Sequence, residues 1–144
     1  MTLGIVCPQV ASEADRQITT LGRMFRSLEI DASIVVLGQC GDDLGVMASG
    51  NAFVTGAVER DEYPQIIRQY RVTRLFSPYR TRLFGLVDDL GAQCRLHKAY
   101  FDWSFGALEV ENKDLALDPR ICVERAAREI GEWLGGALPG TLRP

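Results

Sequence analysis

The sequence predicts an α/β sandwich built on a mostly parallel sheet, and three observations carry that expectation. Five or six short apolar runs are bounded by Gly, Pro or charged residues; these runs alternate with stretches of helical spacing; and 144 residues leave room for one sizeable core, not two. Apolar runs without polar alternation suit strands buried on both faces. Parallel neighbours, in turn, need crossovers that lay helices over the sheet.

Leu3 to Cys7 is the first such run, stopped by Pro8. A helix should follow, with Ser12 as cap, Glu13 and Asp15 in its first turn, and Ile18, Leu21, Phe25 and Leu28 on one face. Ser33 to Leu37 reads as a second strand ended by Gly38, and Leu44 to Met47 as a short helix. Ala52 to Thr55 reads as a third strand ended by Gly56. Tyr63, Ile66, Ile67 and Tyr70 then recur at helical spacing, with Asp61 the natural cap and Pro64 tolerable in a first turn. Val72 to Phe76 is a fourth strand, and Leu83, Leu86, Val87 and Leu90 mark a helix closing near Gly91 or Gln93. Leu96 to Phe101 is a fifth strand and Leu115 to Leu117 a short sixth. Asp118-Pro119 has the form of a helix start, with Val123, Ala126, Ala127, Ile130 and Trp133 or Leu134 on the inner stripe. The expectation is a Rossmann-like three-layer domain over residues 1–136, with 137–144 as a tail.

In such sheets ligands sit beyond the carboxyl ends of the strands, where the strand order switches. The loops 8–13, 38–42, 56–59, 77–83 and 102–109 should therefore share one rim. Composition narrows what could bind there. Sixteen basic against 19 acidic residues give a net charge of −3 with no basic block, so nucleic acid is an unexpected partner. Four scattered cysteines and one histidine, His97, lack the spacing of a metal site, so no metal is expected and the cysteines read as reduced core residues. No stretch approaches the roughly 20 apolar residues of a membrane span, and no leader pattern opens the chain, which makes the cytoplasm the expected location. The immediate start of the first strand suggests a segment of something longer.

The loop after the first strand, Cys7 to Ser12, lacks the glycines that let a backbone approach a pyrophosphate, so a conventional NAD or FAD domain is disfavoured and no cofactor is expected. No Gly-x-Ser-x-Gly elbow occurs, and His97 inside a strand reads as a packed or surface residue. The chemically richest segment runs from Ser77 to Leu90. It sets the hydroxyls of Ser77, Tyr79 and Thr81 beside Arg80 and Arg82 on a strand-to-helix loop, where backbone amides and the helix dipole favour an anion. The alternative is a solvated loop whose arginines pair with Asp88 and Asp89.

The order of these segments carries a family likeness: Ile34 to Gly38, Ala52 to Gly56, Phe76-Ser77 to Val87, Phe101-Asp102 to Gly106 and Glu109, then a terminal helix. From about Leu3 to Leu134 the chain resembles the C-terminal half of group 1 glycosyltransferases of the GT-B fold. The resemblance implies a domain that binds a nucleotide diphosphate sugar, with an N-terminal acceptor-binding half lying outside this chain. The donor-contacting residues it implies are Gly56, Ser77, Tyr79, Arg80, Thr81, Arg82, Gly85 and Asp89.

Two departures bear on function. Where the family has a Lys-Gly pair near the donor phosphates, this sequence has Glu13-Ala14. Its two glutamates eight residues apart become Thr81 and Asp89, or Arg82 and Leu90, depending on the anchor. The expected function is donor binding within a glycosyltransferase-like protein, with the isolated chain inactive in transfer. The alternative is a non-catalytic binding or scaffold domain that keeps the half-fold and has lost the donor site. A flavodoxin-like regulatory module is a more distant rival, since no acidic cluster follows the first strand.

Overall fold

The computed structural model describes residues 1–48, 52–80, 85–107, 109–111 and 113–135. Their strands are β1 (Thr2–Cys7), β2 (Ser33–Gly38), β3 (Ala52–Val54), β4 (Arg74–Phe76), β5 (His97–Phe101) and β6 (Leu115–Leu117). They form one sheet in the order β3-β2-β1-β4-β5-β6, with every described pairing parallel. This is the doubly wound Rossmann order, and it reverses direction between β1 and β4. The expected α/β class is thus the observed one.

The helices are α1 (Ser12–Ser27), α2 (Asp43–Ala48), α3 (Tyr63–Gln69, entered by a 3₁₀ turn at Arg60–Glu62), α4 (Leu86–Cys94) and α5 (Val123–Leu134). Side chains alternate across the central strands. Leu3, Ile5, Cys7, Ile34 and Val36 join the core under α1, α2 and α5, while Val6, Val35 and Leu37 join the core under α3 and α4. Ile5, Val35, Val54, Leu75 and Ala99, the residues at the heart of the expected strands, are all buried. Gln17 is buried in the seam between α1 and α5, where its side-chain amide donates to the Val123 carbonyl at 3.2 Å.

Several local expectations are corrected by competing contacts. Ser12 is the first residue of α1 rather than its cap; Ala11 holds the cap position in an extended conformation. Leu28, expected on the inner face, follows the last turn and is exposed. Asp61 does not cap α3, because Glu59 and Glu62 form a reciprocal capping box around the 3₁₀ turn. The Asp118-Pro119 start is displaced to Val123, with Asp118 engaged instead by Arg120: its carboxylate accepts from the Arg120 backbone N–H, Nε and Nη2 at 2.9, 3.0 and 2.8 Å. β4 is shorter than expected, and Val72 before it packs under α3. The expected tail at 137–144, Leu83, Thr81 and Arg82 lie outside the described residues.

Of the four cysteines, Cys7 and Cys40 are buried as expected of core residues, Cys94 is half-buried and Cys122 is exposed. Cys122 is exposed because it stands at the N-cap of α5, ahead of the helix's inner stripe. No helix among the described residues is long and apolar enough to cross a membrane.

Gly38 ends β2 at φ +136°, and a Cβ placed there would fall 1.9 Å from the Cys7 carbonyl oxygen. That same oxygen accepts from the Gln39 N–H at 3.1 Å, so the strand ends cannot separate without breaking the ladder. Gly38→Ala is expected to destabilise the fold by roughly 3 kcal/mol or more, combining backbone strain with overpacking. Urea unfolding should show a lower midpoint at an unchanged slope; a midpoint equal to wild type would refute the steric argument.

Candidate functional site

Because all the strands are parallel, their carboxyl ends deliver the expected loops to one rim. At its centre, between β1 and β4, two crossovers leave the sheet in opposite directions and would ordinarily open a crevice. Here Tyr79 occupies it. Its hydroxyl accepts from the Gln9 N–H at 3.0 Å and donates to the Gln9 carbonyl in a short hydrogen bond, tying the β4 exit to the β1 exit. The ring is buried in the core with Cys7 and Cys40. Burial and the neighbouring Cys7 push the Tyr79 phenol far above its ordinary value. Burial, assisted by Cys40, does the same to the Cys7 thiol despite a hydrogen bond with Tyr79. Both groups are therefore neutral packing elements at neutral pH and poor nucleophiles.

The first turn of α1 borders this point, and it is acidic, with Glu13 and Asp15. The Asp15 carboxylate reaches the loop between β2 and α2, accepting from the N–H of Gly41 at 3.1 Å and of Asp42 at 3.0 Å. In the same loop the Cys40 N–H donates to Asp43 at 3.0 Å. Three amides that could have faced an anion are thus held by the protein's own carboxylates. Burial followed by the charges of Asp15 and Asp43 raises the Cys40 thiol to about 12.

The residues expected to contact a donor are distributed unequally over this rim. Ser77, Tyr79 and Arg80 follow β4 directly at the switch point. Gly85, with φ +59°, precedes the first residue of α4, and Gly56, with φ +84°, lies two residues beyond β3. Arg80 is committed to the fold. Its guanidinium stacks 4.7 Å from the Phe101 ring centroid and donates to the Pro119 carbonyl at 2.6 Å, while its own carbonyl accepts the Trp103 indole N–H. Asp89 is exposed on α4 and pairs with Arg60 at 2.8 Å. Asp88 lies 3.9 Å from Lys98. Among the described residues, the acids of α4 thus have Arg60 and Lys98 as ionic neighbours, and Arg82 lies outside the described residues.

Two features of the rim went unread in the sequence. The connection from β5 to β6 has no helix among its described residues, and it projects Trp103 and Phe105, which are both exposed and pack edge to face at 5.9 Å. Beneath them a cavity of about 330 Å³ is lined by Phe105, Val110, Leu117, Asp118 and Arg120. Arg120 stacks 4.8 Å from Phe105 while held by Asp118. The alternation of Trp103 and Phe105 across a single Ser was the available signal. His97, on β5, lies 3.5 Å from Asp114, whose carboxylate is fastened to Lys98 at 2.9 Å. No group of three or more metal-ligating side chains is found among the described residues.

The Tyr79 bridge has a measurable weight. Tyr79→Phe removes one hydroxyl and leaves two backbone groups of Gln9 without it, so a loss of about 1–3 kcal/mol is expected in urea unfolding; a loss below about 0.5 kcal/mol would mean that water replaces the phenol.

Alkaline pH supplies an independent check. Tyr63, donating to the Leu37 carbonyl at 3.4 Å, is raised from 10.0 to about 12, first by burial and then by Cys7, against a smaller opposing effect of Arg60. For an acid raised in the folded state, the unfolded chain ionises first, so the contribution of Tyr63 to stability is intact below pH 10 and is lost as pH climbs from 10 towards 12, adding to the alkaline losses from the raised Cys7, Cys40 and Tyr79 groups. Tyr63→Phe should flatten that decline; a decline as steep as wild type would place the sensitive group elsewhere.

No protein-family model matches the sequence, and a search of curated proteins finds no match either.

Proposed function

We infer that this domain is a non-catalytic binding or scaffold unit of a glycosyltransferase-like protein, one that keeps the donor-half fold without an open diphosphate site. The observation that carries this reading is the Tyr79 hydroxyl bound to both backbone groups of Gln9 across the β1/β4 switch point. A diphosphate at that place would have to displace a buried phenol and leave the Gln9 groups unpaired.

Electrostatics support the same reading. Anions gather where free amides and cations converge. At this rim Glu13 and Asp15 open α1, the Gly41 and Asp42 amides are taken by Asp15, and Arg80 is spent on Phe101 and Pro119. The family likeness is the ground for placing the domain beside an N-terminal acceptor-binding half. Transfer by this chain alone is not expected, because a single half cannot enclose both a donor and an acceptor.

Donor binding, the other reading, makes opposite claims about the same residues. Calorimetric titration with uridine and guanosine diphosphates separates them. On the scaffold reading, wild type and Glu13→Lys both give no binding heat, since restoring one charge does not open the crevice. Saturable binding in wild type that Asp89→Ala weakens by about 1.5–3 kcal/mol, the size of a hydrogen bond to a charged group, would establish the donor reading instead. Binding that appears only in Glu13→Lys would show that charge, not the phenol, keeps the diphosphate out.

A further inference from the structure

At the opposite end of the sheet from the rim, α3 and α4 part over the strand starts. The opening holds about 440 Å³, and its apolar surfaces are Ile67, Val72 and Leu96. Arg68, in the last turn of α3, and Arg71, just past it, also line the groove; both side chains are exposed. Neither guanidinium forms an ion pair among the described residues, and no acidic residue lines the groove. The other two described cavities differ in this respect. The one below Phe105 carries Asp102, Asp118 and Arg120, and the one along α1 carries Asp15, Asp42 and Glu124 beside Arg16 and Arg23.

Cations near a helix C-terminus complement its dipole, and that accounts for Arg68 as a stabilising residue. It does not account for the groove beside it. Arg71 holds φ +54°, a left-handed conformation that side chains other than Asn, Asp and Gly seldom adopt, and its N–H donates to the Arg68 carbonyl at 3.1 Å. The turn thereby sets two guanidinium-bearing residues three positions apart at the lip of an apolar cleft. An apolar floor with charge of one sign at its edge fits a ligand with an apolar body and one anionic head.

We propose that the α3/α4 groove is a binding site for a small amphiphilic carboxylate, its apolar body between Ile67, Val72 and Leu96 and its carboxylate on Arg68 and Arg71. The site is separate from the rim and stands independently of the reading given to the rim. Half-buried Cys94 also lines the groove and so reports on its occupancy, while exposed Cys122, at the start of α5, serves as an internal control.

The probe is octanoate, with octanol as its uncharged counterpart, and the readout is the rate of N-ethylmaleimide labelling at each cysteine, followed by peptide mass spectrometry on the full chain. Octanoate is expected to slow labelling of Cys94 in a saturable way and to leave Cys122 unchanged. Octanol should require at least about 5-fold higher concentration for the same protection, since it lacks the charge-assisted contact. Arg68→Gln/Arg71→Gln should erase the difference between the two probes, and Arg68→Lys/Arg71→Lys, which keeps the charge, should retain it. Equal protection by octanol and octanoate, undiminished octanoate protection in the glutamine variant, or slowed labelling at Cys122 as well would each overturn the proposal.

Discussion

The structure turns on one side chain, Tyr79, at the place where a doubly wound sheet is weakest. Neighbouring strand exits normally continue the ladder for a residue or two, as Gln39 does by donating to Cys7. Between β1 and β4 the chains leave for opposite faces. The phenol of Tyr79 serves in place of a strand there, offering an acceptor to the Gln9 N–H and a donor to the Gln9 carbonyl. The neighbouring chemistry follows from that choice. With the phenol in place Cys7 is wholly enclosed, its thiol is held neutral by desolvation, and the rim above the centre of the sheet is floored by protein rather than by solvent.

Carboxylates around the rim hold its loops in place. Asp15 fastens the β2–α2 loop to α1, Asp102 accepts from the Ser104 N–H and hydroxyl and from the Gly106 N–H, and Asp118 binds Arg120. Ion pairs at the rim and at the strand starts are not equivalent in energy. Arg60 and Asp89 are 64% and 65% exposed, and such a pair contributes about 0–1 kcal/mol. Lys98 and Asp114 are 15% and 3% exposed, so removing one partner strands a charge at a cost of about 3–5 kcal/mol. The buried pair joins the start of β5 to the start of β6. Burial lowers the Lys98 pKa, but the hydrogen bond and charge of Asp114 together with Asp88 and Glu111 outweigh it, and the net direction is upward. This pairing fixes the outer edge of the sheet, where the described residues of the crossover include no covering helix.

The elements that could be read from local pattern were those with long apolar runs. β1 and β2 sit in the middle of the sheet with both faces covered, and their sequences show it as unbroken hydrophobicity. The helix starts were harder to read, because a cap is a contest among nearby side chains. Ser12 and Asp61 each had the right chemistry at about the right place, but Ala11 holds the cap of α1, and Glu59 with Glu62 forms the capping box. At the site, a tyrosine beside two arginines in a strand-to-helix loop reads as a ligand-binding cluster. Whether its hydroxyl faces a ligand or the backbone of residue 9, some 70 positions away, is a matter of tertiary contact.

The sequence by itself determined the class of the fold, the parallel sheet and the burial of its central strands, because periodicity and burial are properties of short segments. It also determined the acidic first turn of α1. Only the tertiary structure decided that Tyr79 closes the switch point, that Arg80 is turned inward on Phe101, that Asp89 is matched with Arg60, and that α3 and α4 leave a cationic groove between them. Those outcomes depend on which residues distant in the chain arrive at one point, and on the requirement that every buried polar group find a partner where the backbone has none to offer.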